Sequence, residues 1–181
     1  MYMKQRSVLK WELTGIVVIF LLGSLFHFMF EFTGSHAWAG AFFPVNESVF
    51  EHLKLTFWPA VIWWVFSYRF IKQTVHNYFI SRAAALLVMP AITLILFFSY
   101  TSLTSWENVF VDIAIFLLAV IGGQMVGYWL LTRKVLPVWL TGISIALIIA
   151  LGFMYIYFTY YPPHASIFMD TNTNSYGIPP M

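Results

Sequence analysis

Five long apolar stretches fill most of this chain and leave it few ways to fold. They run roughly from Val8 to Phe32, Ser48 to Tyr68, Arg82 to Ser99, Trp106 to Leu131 and Val138 to Tyr160. Each holds about 18–25 residues, enough at about 1.5 Å per residue to cross a hydrocarbon core of about 30 Å. Of 181 residues, 61% are hydrophobic and only 9% charged, more apolar surface than one soluble core can hide. The pattern predicts an all-α, polytopic membrane protein. A bundle of five transmembrane helices would cover residues 1–160, followed by a tail over residues 161–181. Pro59 falls inside the second helix and is expected to kink it; Pro90 falls inside the third. The segment from His36 to Phe43 is too short to span, and with Trp38 it reads as an interfacial or re-entrant piece. Leu13 to Phe30 is too long for a signal-peptide core and no Ala-x-Ala site follows, so the first helix is read as retained.

The basic residues set an orientation. Lys4, Arg6 and Lys10 precede the first helix, Arg69, Lys72 and Arg82 lie between the second and third, and Arg133 and Lys134 lie between the fourth and fifth. Every second connection is therefore basic, which predicts the N-terminus inside and the C-terminus outside. Lys54 is the exception. Glu31, Glu47, Glu51, Glu107, Asp112 and Asp170 map to the outer half, as do His27, His36, His52 and His164; among the acids only Glu12 maps inside. The positive-inside rule barely constrains acids, so their clustering is a separate observation. It predicts a titratable basin at the outer mouth. The chain has no cysteine, which excludes disulfides, thiolate metal sites and cysteine nucleophiles. No basic patch interleaved with aromatics points to nucleic acid.

Ionisable groups near a bilayer are costly and usually have a task. The densest run of them is Asn46-Glu47-Ser48-Val49-Phe50-Glu51-His52-Leu53-Lys54. Asn46 reads as a helix N-cap, with Glu47 favoured by the helix dipole. On a helix starting there, Glu47, Glu51 and Lys54 share a face, and Glu51 with Lys54 can pair at i,i+3. His27 and Glu31 are one turn apart, a spacing that suits a metal or an oriented acid–base pair, or simply a hydrogen-bonded tie. Asp112 lies about two turns into the fourth helix, with Lys54 or the histidines as expected partners. In the tail, Pro162-Pro163 stiffens the exit, so that His164 and Asp170 can fold back as a lid; a frayed terminus is the alternative. Gly123 and Gly127 have the spacing of a helix-packing motif. Trp58, Trp106 and Tyr160 read as interface anchors.

Taken together, the first, second and fourth helices and the tail converge on one expected outer pocket. Three histidines with carboxylates and no cysteine suit Zn, Mn or Fe, although no standard zinc spacing is present.

The run Asn-Glu-Ser-x-x-Glu-His-x-Lys at Asn46 to Lys54 follows His27-x-x-x-Glu31 and precedes a terminal Pro-Pro-His, Phe-x-Asp and Tyr-Gly. With these it resembles a family of small bacterial integral membrane proteins of unknown function, mostly from Firmicutes. The likeness covers nearly the whole chain. The central run is its specific part; the tail departs from it at Ser166 and Thr171, where the family tends to have prolines. The resemblance implies a bacterial plasma-membrane location and no chemistry. A weaker likeness, to five-helix sterol-isomerase-type proteins, rests on the His-x-x-x-Glu pair and is an analogy.

Three functions compete. In a metal-assisted hydrolase or lipid-modifying enzyme, His27, His52, His164, Glu31 and Asp170 supply metal ligands. Glu51 would then be the general base, Lys54 would grip an anionic lipid or lipid-linked substrate, and Glu47 and Asp112 would assist. A metal-free version shuttles protons through His27 and Glu31. In a transport component the cluster is a cation or proton site, and the protein would work with a membrane partner. In a structural or regulatory subunit the cluster only fixes the bundle.

Overall fold

The computed structural model describes residues 2–179, with side chains from Arg6 onward. Lys4 of the basic set and Pro180 and Met181 of the tail lie outside the described residues or side chains. Five helices follow one another: α1 (Tyr2–Phe32), α2 (Val49–Ile71), α3 (Tyr78–Thr104), α4 (Val109–Leu131) and α5 (Trp139–Tyr160). Short 3-10 turns at Ala37–Ala41 and Ser166–Phe168 precede α2 and follow α5. Among the described residues four helices, all but α2, are long and apolar enough to cross a membrane. The expected fifth span is α2, which is long enough but carries Glu51, Lys54 and Arg69.

The reason lies in where α2 sits. It packs against all four other helices, and 14 of its 23 residues are buried, against three in α5. Phe50, Leu53, Phe57, Ala60, Trp63 and Trp64 of α2 make up nearly half of the main apolar cluster. The surrounding helices invert the soluble pattern. On α1, Leu13, Val17, Leu21, Leu25, Phe28 and Phe32 are exposed at three- and four-residue steps, an apolar stripe turned outward. Meanwhile Glu12, Glu51, Lys54, Arg82 and Gln124 are buried.

Both prolines lie inside continuous helices. Pro59 leaves the carbonyl of Leu55 without its helical donor. Gly23 of α1 covers that oxygen so closely that a side chain there would stand 2.7 Å from it. Gly123 and Gly127 do face α3, against Met89 and Arg82 respectively. Trp58, expected near a helix end as an interface anchor, lies nine residues, or about 14 Å, along α2 and packs on Phe42 and Phe57.

The two ends of the bundle are fastened differently. At the end carrying Arg69, Arg82 and Arg133, Asn77 in a left-handed conformation binds Leu130 O, Lys134 O and Leu136 N, joining the α2–α3 and α4–α5 connections. At the other end the tail returns over the bundle. Phe168 packs on Phe50 at 4.5 Å, Asn46 Nδ2 donates to Gly177 O at 2.8 Å, and Tyr160 OH donates to Ala37 O at 2.7 Å.

Candidate metal centre

Everything at the tail end turns on where α2 begins. Its N-cap is Ser48, whose Oγ accepts from Glu51 N at 3.3 Å. Asn46, expected as the cap, instead turns the chain beforehand: its Oδ1 accepts from Ser48 N at 2.9 Å. Glu47 is thereby outside the helix and does not share the face of Glu51 and Lys54. It swings towards the histidines.

The result is a cluster of His27, Glu47 and His52, whose candidate ligand atoms lie within 4.8 Å of one another. Glu47 Oε2 is 3.3 Å from His52 Nε2, and Glu47 Oε1 is 4.0 Å from His27 Nε2. The two rings are 5.1 Å apart. The side chains are 30%, 46% and 31% exposed for His27, Glu47 and His52, so the cluster is open on one side. His52 Nδ1 lies 2.9 Å from the carbonyl of Ser48. A carbonyl only accepts, so Nδ1 carries the proton, and a neutral His52 presents a bare lone pair on Nε2. That lone pair faces a carboxylate at 3.3 Å. Two acceptors so placed need a cation between them, either a second ring proton or a metal. With the second ring proton in place, the hydrogen bond from His52 Nε2 holds the Glu47 carboxyl below its usual range, against the opposing effect of burial. His27 Nδ1 is buried without a hydrogen-bond partner.

Glu51 and Lys54 form a second, closed network. Lys54 Nζ is 2.5 Å from Glu51 Oε2 and donates to Gly40 O at 2.8 Å, Phe43 O at 3.0 Å and Thr159 Oγ1 at 2.8 Å. Thr159 Oγ1 in turn donates to Glu51 Oε1 at 2.8 Å, and Val45 N donates to Glu51 Oε2 at 3.0 Å. Both carboxylate oxygens and the ammonium are thus engaged inside the protein. The pair joins α2, α5 and the turn at Ala37–Ala41.

The remaining expected site residues lie elsewhere. Glu31 is exposed one turn beyond His27 and is not one of the clustered residues. Asp112, expected against Lys54 or a histidine, accepts from Tyr100 OH at 2.6 Å. His164 is exposed, its ring 4.7 Å from that of Tyr176. Asp170 is buried, but it shapes the tail's own turn, accepting from Asn172 N at 3.0 Å and Thr173 Oγ1 at 2.6 Å.

A polar centre that the sequence did not reveal lies at the opposite end. Arg82 Nη1 and Nη2 donate to the two oxygens of Glu12, each at 2.8 Å, and both side chains are buried. The guanidinium carbon lies 5.0 Å from the Trp64 ring centroid and 4.7 Å from that of Tyr78. Gln124 accepts from Trp64 Nε1 at 3.0 Å and donates to Glu12 O at 3.1 Å. The only signal for this centre in the sequence was that Glu12 is the one acid on the basic side.

No curated protein and no solved structure matches this chain. Residues 1–178 match a family profile, and by that match the chain belongs to the family of unknown function DUF6512.

Proposed function

We propose that this is a multi-pass protein of the bacterial plasma membrane that binds a divalent transition metal through His27, Glu47 and His52. In this reading α2 is the fifth span, the N-terminus is inside and the tail is outside. The support for a fifth span is that Glu51 and Lys54 neutralise each other internally, leaving Arg69 at the helix end as its one exposed charge. The support for the orientation is the gathering of Lys and Arg at one end.

The observation that carries the metal reading is the 3.3 Å approach of His52 Nε2 to the Glu47 carboxylate, with Nδ1 committed to the Ser48 carbonyl. Zn–N and Zn–O bonds of about 2.0–2.1 Å put tetrahedral ligand atoms roughly 3.3 Å apart. The His52–Glu47 pair already has that spacing, and the His27–Glu47 pair at 4.0 Å closes with a small side-chain rotation. Two histidines, one carboxylate and an open side form the donor set of a catalytic site that keeps one position for water. The Ser48 carbonyl fixes the His52 tautomer, as outer partners of metal ligands commonly do. A metal there would make its bound water a nucleophile near neutral pH, which suits hydrolysis of a lipid or lipid-linked substrate at the membrane surface. Glu51 and Lys54 then act as scaffold, holding the loop that presents Glu47.

A second reading uses the same contact. A proton in place of the metal makes His52 an imidazolium paired with Glu47, as in a proton-sensing or proton-binding component. The depressed Glu47 carboxyl supports it. Calorimetric titration of Zn2+ into chelator-stripped protein separates the two. Saturable binding that Glu47→Gln and His52→Ala both weaken supports the metal. Absence of saturable heat in a folded protein leaves the proton.

A further inference from the structure

We propose that the groove between α1 and α2 holds one anionic phospholipid from the leaflet at the basic end of the bundle. The groove has a volume of about 470 Å³ and opens outward. Trp58, Ile62 and Val65 of α2 line it at four- and three-residue steps, and Arg69 follows one turn on. Phe42 and Phe43 close the far end. Trp58 to Arg69 spans eleven residues, or about 16 Å, half of a hydrocarbon core of about 30 Å.

That depth decides between occupants. A transmembrane helix, from a second copy or another protein, would need a seat along the full core. Helix seats in membranes are also built from small residues, as where Gly123 and Gly127 of α4 meet α3. This groove has none; its walls are aromatic and branched side chains. An acyl chain confined to one leaflet fits both the length and the texture. The headgroup follows from charge. The Arg69 guanidinium lies over the Phe66 ring, 5.5 Å from its centroid, at the groove rim. Among the described residues it has no carboxylate partner. An anionic headgroup would satisfy it, and a zwitterionic one would do so less well. The inference rests on the bundle crossing a membrane and is independent of the metal.

The test titrates purified protein in detergent with phosphatidylglycerol and phosphatidylcholine of identical chains, reading bound lipid by native mass spectrometry. One basic contact at a membrane surface corresponds to about a fivefold preference, so wild type should retain phosphatidylglycerol about fivefold better. Arg69→Gln should erase that preference while leaving the chain bound. Val65→Trp, at a position 69% exposed and so harmless to folding, should weaken retention of both lipids by filling the groove. Equal retention of the two lipids by wild type, an unchanged preference in Arg69→Gln, or full retention by Val65→Trp would overturn the site. Fractionation of the same cells keeps the claims apart. Protein that sits in the membrane but ignores the headgroup overturns the lipid site alone, whereas protein outside the membrane fraction overturns the membrane reading as well.

Discussion

Glu47 and Glu51 are four residues apart and live in different chemistry. Glu51 is sealed into a network with Lys54 and Thr159, whereas Glu47 stands half-exposed between two histidines. Removing one partner of a buried ion pair costs about 3–5 kcal/mol, because the other charge is left uncompensated. Glu51→Gln and Lys54→Met should each lower stability by that order. The double variant should lose much less than their sum, which a thermal-unfolding double-mutant cycle measures. Glu47→Gln should cost much less, about 0.2–1 kcal/mol near neutral pH, because its contact is half exposed. The Glu47 contact also has a defined pH sense. Its folded-state carboxyl lies below the ordinary 4.5, so the contribution is complete above that value and fades as pH falls through the depressed one. Stability profiles of wild type and Glu47→Gln should therefore run parallel near neutrality and converge in acid, with His27, His52 and Glu31 as the neighbouring titrating groups. The Glu51–Lys54 pair was legible in its i,i+3 spacing. The role of Glu47 was not, because it depends on whether Asn46 or Ser48 caps α2. Sequence pointed to Asn46, and the hydrogen bond from Glu51 N to Ser48 Oγ decides for Ser48.

Among the elements, α2 is the exception and the axis. Hydropathy alone passes over it because its charges count as polar, yet it is the most buried helix of the bundle. Sequence put its cap two residues early, at Asn46, located its proline, and could not show that Gly23 would cover the carbonyl that Pro59 frees. The same holds for Glu12 and Arg82, which are 70 residues apart and meet only once α1 and α3 have packed around α4. Arg82 reads in sequence as a topology marker between helices; burial and two parallel hydrogen bonds make it a clamp. Gly127 is the space that clamp needs. A side chain there would stand 3.3 Å from Arg82 Nη1 and 3.4 Å from Glu12 Oε2, neither of which can yield without stretching the pair. Gly127→Ala should destabilise by about 1–3 kcal/mol, the usual cost of overpacking. The same change at Gly142, which has open space around it, should have little effect, and comparing the two melting temperatures checks this.

For the molecule as a whole, the length of the apolar segments disclosed its class, whereas the way its polar residues sort stayed hidden. One pooled outer pocket was expected. Instead the nine candidate residues divide among an open His–Glu–His cluster, a sealed ion pair, a tail turn held by Asp170, an α3–α4 contact at Asp112, and an exposed Glu31 and His164. Helical spacing reports which side chains share a face, but not which neighbour that face meets. In the proposed topology, five spans with the N-terminus inside put the tail outside, so a periplasmic-type reporter fused after Met181 should be active and one fused after Lys72 inactive. The reverse pattern would contradict the orientation. The central claim concerns the cluster at the mouth. Elemental analysis of protein purified from membranes without added metal, wild type beside His27→Ala and His52→Ala, addresses it most directly. Near-stoichiometric Zn, Mn or Fe in wild type and its loss in both variants is the predicted result. A folded wild type without metal would contradict it and leave the Glu47–His52 contact to a proton.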